Sequence, residues 1–91
     1  MLQSLGRTPE EVASTLKSKG IQGVPNTIRH LNPIVRYVQT QIANPCGVHI
    51  IDDKLTIRFI DGQEKEEIVP PAVQQFLEAF NRGEYRDLLL S

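Results

Sequence analysis

Proline decides where regular structure can begin in this chain. Its ring fixes φ at about −65° and it has no amide N–H, so a helix tolerates it only in the first turn. Three of the six prolines, Pro9, Pro33 and Pro71, each precede a stretch with apolar residues at helical spacing. Thr8-Pro9-Glu10-Glu11 supplies an N-cap hydroxyl, a proline at the first helical position and a glutamate at the third, the pattern of a capping box. Glu10 and Glu11 face the positive end of the helix dipole, and Lys17 and Lys19 its negative end. Val12 and Leu16 share a face and Gly20 is a natural stop, which predicts a helix over Pro9 to Lys19. Asn32 and Pro33 open a second helix, whose stripe of Ile34, Val38 and Ile42, joined by Val35, runs to Ala43. Pro70-Pro71 opens a third, where Val73, Phe76, Leu77 and Phe80 fall at i, i+3, i+4 and i+7 before Gly83. Tyr85 to Leu90 add a last helical turn, with Leu88 and Leu89 closing over the core.

Between the second and third helices the period changes from helical to alternating. Asn44-Pro45-Cys46-Gly47 reads as a turn, followed by a short strand over Val48 to Ile51 that Asp52-Asp53 closes. Leu55, Ile57 and Phe59 then alternate with Thr56, Arg58 and Ile60 as a half-buried strand. Asp61-Gly62 is a hairpin signal, and Gln63 to Val69 returns as a charged edge strand. A two-residue loop sets Arg58 opposite Lys65, whereas a three-residue loop with a bulge sets it opposite Glu66. Opposed like charges are unfavourable, so the bulged register is expected. The fold class is therefore α+β: two N-terminal helices, a small antiparallel three-stranded sheet and one or two C-terminal helices. The helices are expected on one face of the sheet.

Ninety-one residues with 40% apolar and 23% charged side chains match a single globular domain over residues 1–91 rather than a disordered chain. The one cysteine, Cys46, excludes an intramolecular disulfide, on which secreted domains of this size usually depend. The N-terminus lacks the basic flank and apolar stretch of a signal peptide, and no apolar run approaches the ~20 residues that span a bilayer. These features predict a cytoplasmic protein with no membrane partner.

The opening Thr8-Pro9-Glu10-Glu11-Val12-Ala13, with Leu16 and Gly20-Ile21-Gln22-Gly23, resembles a loose family of short bacterial proteins of uncharacterised function. Asn32-Pro33-Ile34 with Tyr37, and the ending Phe76-Leu77, Phe80, Gly83-Glu84-Tyr85 and Leu88, extend the resemblance over most of the chain. In that family a cysteine often precedes the second-helix proline, where this chain has Asn32. The resemblance implies one shared fold and no particular activity.

Residues able to carry chemistry are sparse. Cys46, His49 and Asp52 have a spacing that could offer metal ligands, with His30 as a fourth. A zinc site needs three or four converging donors, and strand alternation points His49 toward solvent, so the reading is no metal and no cofactor. A Cys46 nucleophile paired with His30 or His49 would need a base in reach and an orienting group. The carboxylate pairs Asp52/Asp53 and Glu66/Glu67 read as solvated surface, so no catalytic residue is assigned.

Charge is uneven. Residues 1–43 carry five Lys/Arg against two Glu, a balance of +3, and residues 44–91 carry five against nine Asp/Glu, a balance of −4. Within the basic half, Ile21, Val24, Ile28 and Leu31 adjoin Arg29, His30, Arg36 and Tyr37, an apolar patch with an Arg/Tyr rim. The expected function is a protein-binding or regulatory module in which Arg29, His30, Arg36 and Tyr37 contact the partner. A winged helix-turn-helix reading nucleic acid is the alternative, with Thr27, Arg29, His30, Arg36, Gln39 and Gln41 as contacts. An acidic chain and a glutamate-rich hairpin weigh against it. The apolar stripe of the third helix also permits a homodimer.

Overall fold

The computed structural model describes residues 2–27, 31–42, 45–51 and 53–90, with Pro45 and Cys46 described as backbone. The three N1 prolines each start a helix: α1 Pro9–Ser18, α2 Pro33–Gln41 and α3 Pro71–Asn81. At α1 the Thr8 hydroxyl accepts the Glu11 N–H (3.2 Å), while Glu11 Oε1 reaches one residue beyond the expected box and accepts the Arg7 N–H (3.1 Å). Gly20 takes a left-handed φ of 70°, and the Ile21 N–H returns to the Leu16 carbonyl (2.9 Å) in a Schellman closure. At α2, Asn32 Oδ1 accepts from the Ile34 and Val35 N–H groups at 2.8 and 3.3 Å.

The sheet is antiparallel in the order β1-β2-β3, with β1 Pro45–Ile51, β2 Lys54–Phe59 and β3 Glu64–Ile68. The protein is thus α+β, with three helices and a three-stranded antiparallel sheet. Two expectations are corrected here. Residues 45–47 are strand rather than turn: Pro45 pairs with Phe59 and Gly47 with Arg58, leaving Cys46 as the extra residue of a bulge. A proline without an N–H fits at the start of an edge strand, and the bulge absorbs the mismatch. The second correction is the register, because Arg58 lies opposite Glu64 rather than Lys65 or Glu66. The loop is three residues long but begins at Ile60, which is 84% exposed, and Gly62 supplies the left-handed position at φ 88°.

Val48, Ile50, Leu55 and Ile57 point to the same side and enter one core with Val12, Leu16, Ile34, Val35, Val38, Val73, Phe76 and Phe80. A short 3₁₀ turn at Leu2–Leu5, which carries no periodic signal, buries both of its leucines fully in that core. A second 3₁₀ turn, Arg86–Leu88, follows Tyr85 at φ 56° and buries Leu88. The Tyr85 ring packs on Phe76 with centroids 5.3 Å apart. Gly23 forms a parallel bridge with Leu89, so the chain's end is clipped to the segment after α1.

Candidate functional site

Hydrogen bonding within the sheet decides what its edges expose. In an antiparallel ladder, alternate residues turn their N–H and C=O toward one neighbour or the other. The Phe59 N–H donates to the Gln63 carbonyl (2.8 Å) and the Val69 N–H to the Asp53 carbonyl (2.7 Å). Residues 53, 55, 57 and 59 therefore face β3, and Lys54, Thr56 and Arg58 face Ile51, His49 and Gly47 of β1. Val48 and Ile50 lie between those β1 positions and turn their backbone polar groups outward. Among the described residues, no partner takes up these groups.

The two edges differ in character. β3 reads Glu64-Lys65-Glu66-Glu67-Ile68, a charged edge of the kind that discourages pairing. β1 contains no Asp, Glu, Lys or Arg. On the outer face of the sheet, Ile51, Lys54 and Ile68 lie in one cross-strand row, and the two isoleucines are 50% and 63% exposed.

Beside Ile50 a groove of about 640 Å³ opens between β1 and α3. Its walls are Ile50, Asp53, Gln74, Leu77, Glu78 and Asn81. The four α3 residues fall at i, i+3, i+4 and i+7 and form a stripe rotated from the one that Val73, Phe76 and Phe80 turn into the core. Two amides fix this wall. Gln74 Nε2 donates to the Val69 carbonyl, and Asn81 Oδ1 accepts the N–H of Asn26, both at 2.8 Å. Asp53 and Glu78 are exposed and form no ion pair among the described residues, and neither Lys nor Arg lines the groove. Two glutamates of β3 are matched: Arg58 donates from Nε and Nη2 to Glu64 Oε1, and Lys54 Nζ lies 3.7 Å from Glu66.

Of the residues read from sequence as a contact surface, the structure describes Arg36 and Tyr37. Tyr37 is only 4% exposed, and its hydroxyl lies 2.9 Å from Ser4 Oγ, so its ring belongs to the core and not to a rim. Arg36 is half-buried on α2, and Arg29 and His30 lie outside the described residues. Ile21 is buried, Val24 and Leu31 are half-buried, and Ile28 lies outside the described residues. Of the metal-ligand set, only the side chain of His49 is described, half-buried opposite Thr56 on the outer face. Among the described residues, no three His, Cys, Asp or Glu side chains are grouped to hold a metal ion. On α3, Val73, Phe76 and Phe80 of the apolar stripe are buried and Leu77 is half-buried.

No protein-family model, curated protein or solved structure matches the chain. Among the described residues, no helix is long and apolar enough to cross a membrane.

Proposed function

We propose that this chain is a small protein-binding module that takes up an extended segment of its partner as a further strand along β1. The observation that carries this reading is the outward-facing backbone of Val48 and Ile50 beside the groove. In strand addition, main-chain hydrogen bonds supply affinity and neighbouring pockets receive alternate side chains. β1 offers the first and the Ile50/Leu77 wall the second. With the helices gathered on one face of the sheet, the β1 edge and the outer face are left to the partner. Ile51, exposed on that outer face, extends the apolar contact past the edge.

Val48→Pro tests the reading. It removes one outward N–H, and the β1–β2 ladder does not use that group. Tagged wild-type chain, Val48→Pro and Arg29→Ala/Arg36→Ala would each capture partners from native lysate at low and moderate salt, after circular dichroism confirms their folds. The expected result is one protein held by wild type at both salts, lost with Val48→Pro and kept by the arginine variant. The reverse pattern would move the interface to the basic half. Nucleic acid recovered only at low salt would replace the reading with nucleic-acid binding.

A further inference from the structure

The chemistry of the groove narrows the partner. Resting on the strand-addition reading, we infer that the segment received along β1 is cationic, an extended peptide whose Lys or Arg side chains reach Asp53 and Glu78. Three observations converge on it. The groove carries two carboxylates that no described cation neutralises, although the glutamates of β3 at positions 64 and 66 both have basic neighbours. Both carboxylates belong to the half of the chain with a balance of −4. Leu77 lines the same groove, a half-buried apolar surface suited to the methylene stem of a long basic side chain.

Strand geometry fits this arrangement. Successive residues of an added strand point to opposite faces, so residues two apart, about 7 Å from each other, enter the groove on the same side. One can lie on Ile50 and Leu77 with its charged head at Glu78. The next reaches Asp53, at the turn between β1 and β2. The intervening residues fall on the outer face beside His49 and Ile51. An acidic segment would meet two like charges in the same positions and would be repelled.

Three synthetic peptides of about six residues, capped at both ends, separate the two levels of the inference. One alternates Lys with Val, one alternates Glu with Val and one alternates Thr with Val. Each is titrated into ¹⁵N-labelled full-length protein, and the amides of Val48, Ile50, Leu77 and Glu78 are followed. The lysine peptide is expected to shift these amides and to bind at least about tenfold more tightly than the glutamate peptide, from two charge contacts. Asp53→Asn/Glu78→Gln should remove that difference, and Asp53→Lys/Glu78→Lys should reverse it. Raising salt from about 50 to about 300 mM should shrink it. Equal binding of all three peptides at these amides would overturn the cationic preference and leave strand addition standing. Shifts from none of the three would overturn strand addition itself.

Discussion

Gly23 lies so close to Pro33 that a β-carbon on it would meet Pro33 Cδ at 2.6 Å and the Leu31 carbonyl oxygen at 2.8 Å. The same residue donates its N–H to the Leu88 carbonyl and accepts from the Leu90 N–H, both at 2.9 Å. One glycine thus holds the start of α2 on one side and the chain's end on the other. Gly23→Ala should cost about 2 kcal/mol or more, as overpacking against backbone does, and lower Tm by roughly 4–8 °C for each kcal/mol. Gly20→Ala is the control. It has nothing within 4 Å and bears only the left-handed φ of 70°, so it should cost about 1 kcal/mol. Thermal melts of the two variants check the order, and an equal or smaller loss at Gly23 would refute the steric account.

Asn32 is 3% exposed and is the only buried polar side chain among the described residues. Its Oδ1 caps α2, and its Nδ2 donates to the Thr27 carbonyl at 2.8 Å. Asn32→Ala loses the cap, for roughly 0.5–2 kcal/mol, and leaves buried backbone groups unpaired, for about 1–3 kcal/mol more. Asn32→Asp keeps the acceptor for the cap but removes the donor to Thr27 and buries a charge. Urea titration should place both variants below wild type. A neutral Asn32→Ala would mean that water replaces the cap at no cost.

The contrast between these two positions indicates what a sequence can disclose. Asn32 and its proline were legible because an N-cap is a local device, written in adjacent residues. Gly23 is not, since its need for a missing β-carbon arises from α2 folding back on it. The same division runs through the sheet. Alternation identified the strands, but Ile60, apolar and next in the alternating series, reads as strand and pushes the expected loop one residue too far. Tyr37 reads as surface beside Arg36, yet Ile34, Tyr37 and Val38 sit at i, i+3 and i+4, the spacing of a buried face. The groove escaped because helical periodicity singles out the most apolar stripe of α3. The neighbouring stripe of Gln74, Leu77, Glu78 and Asn81 acquires meaning only when β1 is set beside it. Leu2 and Leu5 carry no period at all, being two apolar residues in a four-residue turn.

The observed hairpin register gives a direct test of cross-strand charge. Arg58 and Glu64 are directly opposed on an exposed face, with side chains 63% and 44% accessible. Exposed pairs of this kind contribute about 0.2–1 kcal/mol. A double-mutant cycle on Arg58→Ala and Glu64→Ala should return a coupling in that range. Glu64→Lys, which opposes two cations, should destabilise more than Glu64→Ala does. Coupling of Arg58 to Glu66 in place of Glu64 would show that the loop begins at Asp61 after all.

Lys17 in the last turn of α1 and Asp87 in the last 3₁₀ turn lie 2.9 Å apart and join these two elements. Their hydrogen bond and mutual attraction raise the Lys17 pKa above the ordinary 10.5. The same hydrogen bond is the largest influence holding Asp87 below its ordinary 3.8. A lowered carboxylate pKa gives stability that is complete above the unfolded value and is lost as pH falls through the folded one. A raised lysine pKa gives stability that is complete below 10.5 and is lost as pH rises through the folded value. The tie should therefore hold on a plateau between those limits and loosen beyond each. Amide signals of Arg86, Asp87 and Leu88, followed by NMR from acid to alkaline pH, should show an acid midpoint below 3.8 in wild type. That midpoint should vanish in Asp87→Asn, and Lys17→Met should raise it. Both side chains are more than half exposed, so added salt should weaken the tie as well. An Asp87 midpoint unaffected by Lys17→Met would mean that the pair meets without interacting.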